Sequence, residues 1–302
     1  AIGSRPIDLH VMVMEALGAD VTFDSGFIVG SVPSEGLRGA KINFPKISVG
    51  ATESAIMTAV LAKGQTIISN AAQEPEIVDI VTCLKKAGAN IVGEGSNTII
   101  INGVEKLKKL QHEVVADRIE AGSFAIAASI TMGDIEIRNI IPKNLKKFLK
   151  TLEYTGSKVE ISKNAIKICA SKRPLPYNIF TEEYPGFPTD LQAQYMTLMA
   201  IADGKSKISE NIFENRFMHV PELIRMGARI SVNKQIATVT GVNYLKAAKV
   251  MASDLRASMC LILGGLVALG TTEVDGVYHL DRGYENLEGK LSDLGANIRR
   301  SR

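Results

Sequence analysis

Cysteine is scarce in this chain. Cys83, Cys169 and Cys260 are the only three in 302 residues, far apart and never in a Cys-x-x-Cys pair. Such spacing excludes a disulfide framework or a thiolate zinc site and fits reduced core thiols. An excess of one charge is also lacking, since 35 basic and 32 acidic residues leave a net +3. So small an excess argues against a general nucleic-acid binder and still permits attraction of small anions. Long hydrophobic runs are missing too. The longest, Ser258 to Leu269, is broken by Gly264 and Gly265. It is too short to span a bilayer and reads as a buried helix. The opening residues show no basic segment followed by an apolar run, so no signal peptide is expected there.

Several functional signatures fail in turn. His10, His112, His219 and His279 show no ligand spacing, so neither a catalytic metal nor another cofactor is expected. There is no Gly-x-Ser-x-Gly nucleophile elbow. Gly204-Lys205-Ser206 looks like the end of a P-loop, but Met199 stands where the first glycine should be. The string also follows a helix and precedes a strand, the reverse of the required order. Gly93-Glu94-Gly95 lies between two strand-like runs and reads as a hairpin turn.

What the chain does have is repetition. An amphipathic helix, a glycine and a strand recur around Leu17-Gly18-Ala19, Ala87-Gly88-Ala89, Thr155-Gly156-Ser157, Met226-Gly227-Ala228 and Leu294-Gly295-Ala296. The glycines at 18, 88, 156, 227 and 295 are spaced by 70, 68, 71 and 68 residues. Each fits a helix C-cap, where φ is positive. A more apolar helix alternates with the first, over roughly Ala51 to Ala62, Glu120 to Thr131, Leu191 to Ala202 and Leu255 to Leu269. These close near Gly64, Gly133, Gly204 and Gly270, and a strand such as Thr66-Ile67-Ile68 follows. Helices apolar nearly all round belong in an interior. The expected class is therefore α/β, in repeated units of about 70 residues with a few copies per domain. The first amphipathic helix, about residues 6 to 17, has no buried helix before it. A chain that opens inside a unit, on Ala1 rather than Met, is expected to lack an N-terminal segment.

Polar residues stand where the buried helices begin: Ser48, Asp117, Asp190 and Asp254. One reading is N-capping of the free N–H groups of the first turn. The other notes Lys46, Arg118 and Arg256 close by, and foresees helix N-termini converging with basic side chains on a phosphate or carboxylate. The sequence leaves both open.

Particular strings then carry a resemblance. They are Ala1-Ile2-Gly3-Ser4-Arg5-Pro6-Ile7-Asp8-Leu9-His10, Lys46-Ile47-Ser48-Val49-Gly50-Ala51-Thr52 and Ala72-Gln73-Glu74-Pro75-Glu76-Ile77-Val78-Asp79. Further on come Phe187-Pro188-Thr189-Asp190-Leu191-Gln192, Phe213-Glu214-Asn215-Arg216-Phe217-Met218-His219-Val220-Pro221-Glu222, Ser253-Asp254-Leu255-Arg256-Ala257 and His279-Leu280-Asp281-Arg282-Gly283-Tyr284-Glu285. With these the chain resembles the UDP-N-acetylglucosamine enolpyruvyltransferases over essentially its whole length. The resemblance implies an inside-out α/β barrel fold: two domains of three units each, helices inside and sheets outside, here 1–115 and 116–302. It implies substrates bound in a cleft that closes.

The implied reaction moves the enolpyruvyl group of phosphoenolpyruvate onto the sugar 3-hydroxyl of UDP-N-acetylglucosamine, releasing phosphate. This is the first committed step of peptidoglycan synthesis in the bacterial cytoplasm. By resemblance, Asp190 accepts the hydroxyl proton, a role that suits a carboxylate. Arg5, Arg216, Arg256 and Arg282 match arginines that hold the phosphate and carboxylate of phosphoenolpyruvate, for which bidentate guanidinium is suited. Arg5-Pro6-Ile7-Asp8-Leu9, Lys46-Ile47-Ser48-Val49 and Ile212 match stretches that bind the nucleotide sugar, with Asp254 beside Arg256. One departure is serious. The family's mobile loop carries a cysteine, the target of fosfomycin, immediately before the Ala-Ile-Gly string, so it would precede Ala1. None of the three cysteines present matches it, and an N-terminal Lys-Asn pair and a further arginine are absent too. Two alternatives stay open: the shikimate-pathway sibling, and a truncated relative that binds UDP-sugars without turnover. Arg5 to His10 and Lys46 to Val49 favour the cell-wall enzyme over the sibling.

Overall fold

The computed structural model describes residues 7–301. The chain divides into two compact units, one ending at Val115 and the other beginning at Ala116. Each has a hydrophobic core of its own, and the two cores share no residue.

The first unit opens with α1 (Asp8–Ala16), the hairpin strands β1 (Asp20–Asp24) and β2 (Phe27–Ser31), and β3 (Lys41–Asn43). Next come α2 (Val49–Ala59), β4 (Gln65–Ser69), α3 (Pro75–Lys86), β5 (Asn90–Val92) and β6 (Thr98–Asn102). One sheet runs in the order β3-β4-β6-β5, with β3 parallel to β4 and the other pairs antiparallel. The crossover between the parallel strands is α2, which buries Ala51, Thr52, Ala55, Ile56 and Ala59. Small side chains dominate that face, so neighbouring backbone can approach closely.

The second unit begins with α4 (Arg118–Thr131), β7 (Asp134–Arg138), α5 (Lys146–Tyr154), β8 (Lys158–Ile161) and β9 (Ala165–Cys169). It continues with β10 (Ile179–Phe180), α6 (Gln192–Ala200), β11 (Lys205–Ser209), α7 (Val220–Arg225), β12 (Arg229–Asn233) and β13 (Ile236–Thr240). Last are β14 (Leu245–Lys246), β15 (Lys249–Met251), α8 (Leu255–Val267), β16 (Ala268–Leu269), β17 (Glu273–Asp275) and α9 (Leu287–Asp293). The sheet β10-β11-β13-β12 has the order and directions of β3-β4-β6-β5, with α6 in the place of α2. The repeat in the sequence is thus a repeat of topology. Helices α4, α6 and α8 pack on one another, and every residue of α6 is buried. Strands such as β9 and β11 alternate buried with exposed residues, as expected where one sheet face meets the helices and the other meets water.

The five repeat glycines have φ between +90° and +97°. After each, the next N–H donates to the carbonyl five residues back, as in Ala19 to Met14 and Ala228 to Leu223. That is the Schellman closure, which only glycine enters without a Cβ penalty. Several helix bounds differ from the sequence reading: α2 ends at Ala59 and α6 at Ala200, short of Ala62 and Ala202. A 3-10 turn, Thr189–Leu191, precedes α6, because the extended Pro188 delays regular helix. Helix α8 stops at Val267 because Ala268 is extended and pairs in parallel with Leu245. Among the described residues no helix is long and apolar enough to cross a membrane.

Gly103 and Gly241 hold equivalent places in the two sibling sheets. A Cβ at Gly241 would lie 1.8 Å from the carbonyl oxygen of Ala202, and one at Gly103 would lie 1.6 Å from that of Ala62. Gly265, within α8, has its nearest neighbour at 3.5 Å, an ordinary contact. Gly241→Ala should therefore cost on the order of 3 kcal/mol through a backbone clash. Gly265→Ala should be neutral or stabilise by up to about 1 kcal/mol. Thermal unfolding of the two variants side by side checks both.

Candidate active site

The N-terminal ends of α4, α6 and α8 converge. The Gln194 side chain in the first turn of α6 donates to Ser123 Oγ on α4 at 3.2 Å, and Arg256 in the first turn of α8 reaches back to Asp190 just before α6. Each helix start carries about half a positive elementary charge in unpaired N–H groups, so three together attract anions. One aspartate stands at each. Asp117 accepts from the N–H of Ile119 and Glu120 at 2.7 and 3.2 Å. Asp254 accepts from those of Arg256 and Ala257 at 2.8 and 3.0 Å. Both are caps.

Asp190 is not. Its side chain caps nothing, because the 3-10 turn places it one turn ahead of the regular helix. Its Oδ2 accepts from Arg256 Nη2 at 2.8 Å and its Oδ1 from Arg216 Nη2, which also reaches the Thr189 carbonyl at 3.4 Å. The arginine side chains are 16% exposed and that of Asp190 is 40% exposed, so the carboxylate faces water while the guanidiniums lie beneath. Burial alone would raise the Asp190 carboxyl, but the Arg256 and Arg216 charges and their hydrogen bonds outweigh it and hold the group below its ordinary value. The Arg216 guanidinium also lies 5.3 Å from the Phe213 ring centroid. Its Nε is buried without a hydrogen-bond partner among the described residues. Next to it, His219 is fully buried and pushed down to about 4, chiefly by burial, so it is neutral near pH 7.

Arg282 ends the 3-10 helix Val277–Arg282 and is exposed. Among the described residues it forms no ion pair and no hydrogen bond to the Asp190 cluster. Its neighbour Asp281 is held by Arg300 in a two-pronged pair of 2.8 and 3.0 Å, and Arg300 also meets Glu288 at 2.9 Å. Two residues on, buried Tyr284 bonds Ser123 Oγ at 2.8 Å. The Arg282 turn is thus fixed on both sides while its own guanidinium has no ion-pair partner among the described residues.

In the first unit the expected residues gather at two adjacent helix starts. His10 on α1 bonds Ser54 on α2 at 2.8 Å, and a Cβ at Gly50 would lie 3.4 Å from the His10 ring. Ser48 caps α2 by accepting from the N–H of Ala51 at 3.3 Å. Ile7, Asp8 and Lys46 are exposed, whereas Leu9 is a core residue and Ile47 and Val49 pack against that core. Arg5 and Pro6 lie outside the described residues, and Ile212 is 38% exposed on the loop that carries Arg216. Among the described residues no cluster of His, Cys, Asp and Glu could hold a metal. Nothing in the sequence singles out Ser123, Gln194, Tyr284 and Arg300, whose partners lie 12 to 161 residues away or whose polarity is hidden in apolar helices.

The cluster makes a prediction of its own. Asp190→Asn leaves two poorly exposed guanidiniums without a counter-anion, so it should lower the melting temperature in plain buffer. Inorganic phosphate should then raise that temperature more in the variant than in the parent, because it takes the carboxylate's place. The folded-state value of Asp190 is depressed, so its stabilisation is present above the unfolded value of about 3.9 and fades as pH falls through the folded one. The gap between parent and variant should accordingly close below about pH 4. Melts over a pH series, with and without phosphate, measure it.

A family described as EPSP synthase (3-phosphoshikimate 1-carboxyvinyltransferase) matches residues 1–291. Relatives named UDP-N-acetylglucosamine 1-carboxyvinyltransferase are more specific. That of Cereibacter sphaeroides (strain KD131) is 52% identical over 99% of this chain and 71% of its own length. Those of Zymomonas mobilis and Geobacter metallireducens are each 51% identical over 99% of this chain, and over 70% and 72% of their own lengths. In three dimensions the chain is similar to the enolpyruvyl transferase NikO from Streptomyces tendae, with a TM-score of 0.88 at 25% identity, covering 98% of this chain and 73% of that one. EPSP synthase from Acinetobacter baumannii shares the fold, with a TM-score of 0.77 at 18% identity over 100% of this chain and 73% of that one. An unbroken match to these sequences, together with the repeated helix-in-sheet units, makes the chain a member of the enolpyruvyltransferase family, alongside the UDP-N-acetylglucosamine 1-carboxyvinyltransferases.

Proposed function

We propose that this chain transfers the enolpyruvyl group of phosphoenolpyruvate to the 3-hydroxyl of UDP-N-acetylglucosamine, releasing phosphate, as the first committed step of peptidoglycan synthesis in the bacterial cytoplasm. Identity of about half over 99% of the chain to enzymes of that name supports this over the shikimate sibling.

The observation that carries the chemistry is the carboxylate Asp190 pinned by two arginines. Pinned in this way it is a poor base. An arriving anion competes for Arg216 and Arg256, and as they turn to its phosphate and carboxylate, Asp190 loses the charges that depress it. Its affinity for a proton rises as the sugar hydroxyl needs to lose one. The hydroxyl oxygen then bonds to the central carbon of phosphoenolpyruvate, and the methylene carbon gains a proton to become methyl. In the second stage a proton leaves that methyl group and phosphate departs from the central carbon, restoring the double bond. Arg282, exposed on a braced turn and free of ion pairs among the described residues, is placed to take an anionic oxygen bidentately.

In the complete enzyme, Asp190→Asn should lower kcat by about two to four powers of ten. The affinity for UDP-N-acetylglucosamine by calorimetry should stay nearly unchanged. Near-normal phosphate release would confine Asp190 to structure, and sugar binding without release even in the parent would favour a binding-only protein.

Arg282→Lys keeps the charge and loses the planar fork. It should raise the KM for phosphoenolpyruvate roughly tenfold or more while leaving that for the nucleotide sugar alone. Since Asp281 is already paired with Arg300, the melting temperature should not move. Titration of both substrates, with a melt on the same sample, separates recognition from support.

A further inference from the structure

Glu210 is a carboxylate where none is expected. It lies just past β11, is 1% exposed, and faces no arginine or lysine at ion-pair distance among the described residues. A buried carboxylate is tolerated only when its lone pairs are filled. Four donors fill these. Oε1 accepts from the Thr181 hydroxyl at 2.8 Å and from the N–H groups of Ile212 and Phe213, each at 3.0 Å. Oε2 accepts from the Thr189 hydroxyl at 3.0 Å.

The donors come from two segments that matter. Ile212 and Phe213 begin the loop whose far end carries Arg216, and the Phe213 ring lies against the Arg216 guanidinium. Thr189 is the residue before Asp190 and belongs to the same 3-10 turn. One carboxylate therefore joins the turn holding the base to the loop holding one of its arginines. Thr181 closes the arrangement, since its hydroxyl also accepts from the N–H of Asn211 at 2.9 Å. Hydrogen bonds to an ionised acceptor are roughly twice as strong as neutral ones, which suits a joint that must keep two loops in register.

We propose that Glu210 is a positioning residue for the transfer reaction: it holds Asp190 and Arg216 in register without touching substrate. This rests on the function proposed above. Glutamine can reproduce most of the joint. Its carbonyl oxygen takes the three bonds of Oε1, and its amide donates to Thr189, whose hydroxyl can turn to accept. Alanine leaves two N–H groups and two hydroxyls unsatisfied. Thr189→Val removes only the bond on the Asp190 side and keeps the shape.

The experiment compares the complete parent enzyme with Glu210→Gln, Glu210→Ala and Thr189→Val. It reads kcat, both KM values, melting temperature, and the titration of the Asp190 carboxyl by carbon-13 NMR. Glu210→Ala should lose about 10²-fold in kcat, the scale of an ångström's misplacement. Thr189→Val should lose about tenfold, and Glu210→Gln should stay within about fivefold of the parent. Affinity for UDP-N-acetylglucosamine should hold within about twofold in Thr189→Val and Glu210→Gln; Glu210→Gln should melt close to the parent, and Thr189→Val somewhat lower, because Oε2 loses the donor that fills it. The Asp190 carboxyl should titrate higher in Thr189→Val and Glu210→Ala, because Arg216 no longer faces it squarely. Parental kcat with an unmoved Asp190 titration in Thr189→Val would overturn the proposal, as would losses that merely follow the folded fraction. A parent that releases no phosphate would defeat the functional reading alone, and the Asp190 titration would still decide the role of Glu210.

Discussion

Three helices buried side by side with their N-termini together create the constraint on which the second unit depends. Their aligned dipoles accumulate positive charge at one end, and that charge needs anions. Asp117, Asp190 and Asp254 supply one each. Two are consumed as caps. The third is displaced by the 3-10 turn after Pro188 and meets Arg216 and Arg256 instead. The electrostatics that stabilise the packed helices therefore also hold a partly exposed carboxylate between two arginines.

The surroundings keep that arrangement in place through polar bonds inside an apolar core. Gln194 reaches both the Asp190 carbonyl and Ser123, and Ser123 holds Tyr284. The Asp190 turn, α4 and the Arg282 segment are thereby linked by buried or part-buried hydrogen bonds, which low local dielectric strengthens. Glu210 does the same for the loop bearing Arg216, while the turn bearing Arg282 is held at the surface by the exposed Arg300–Asp281 pair.

Much of the fold was legible in the chain. The glycines near every seventieth residue marked the Schellman closures, and the apolar helices between them proved to be the buried ones. These features are local: a cap, a period of 3.6 and a positive φ each act within one turn of chain. The sequence offered capping as one of two readings at Ser48, Asp117 and Asp254, and the structure makes caps of all three.

Pattern could not settle what depends on distance through space. Asp190 has the same sequence setting as Asp117 and Asp254, and only the fold, by bringing Arg216 and Arg256 within reach from 26 and 66 residues away, makes it a carboxylate between arginines rather than a cap. Glu210 gave no sign in the sequence, because a lone glutamate at a strand end is ordinary there and its four donors come from three separate segments. Arg282 could have paired with Asp281, its neighbour in sequence, but the chain returns at Arg300 to claim that carboxylate. Local physics, written in the order of residues, determined the elements and the family; the pairing of charges was decided only when folding set long-range partners at hydrogen-bond distance.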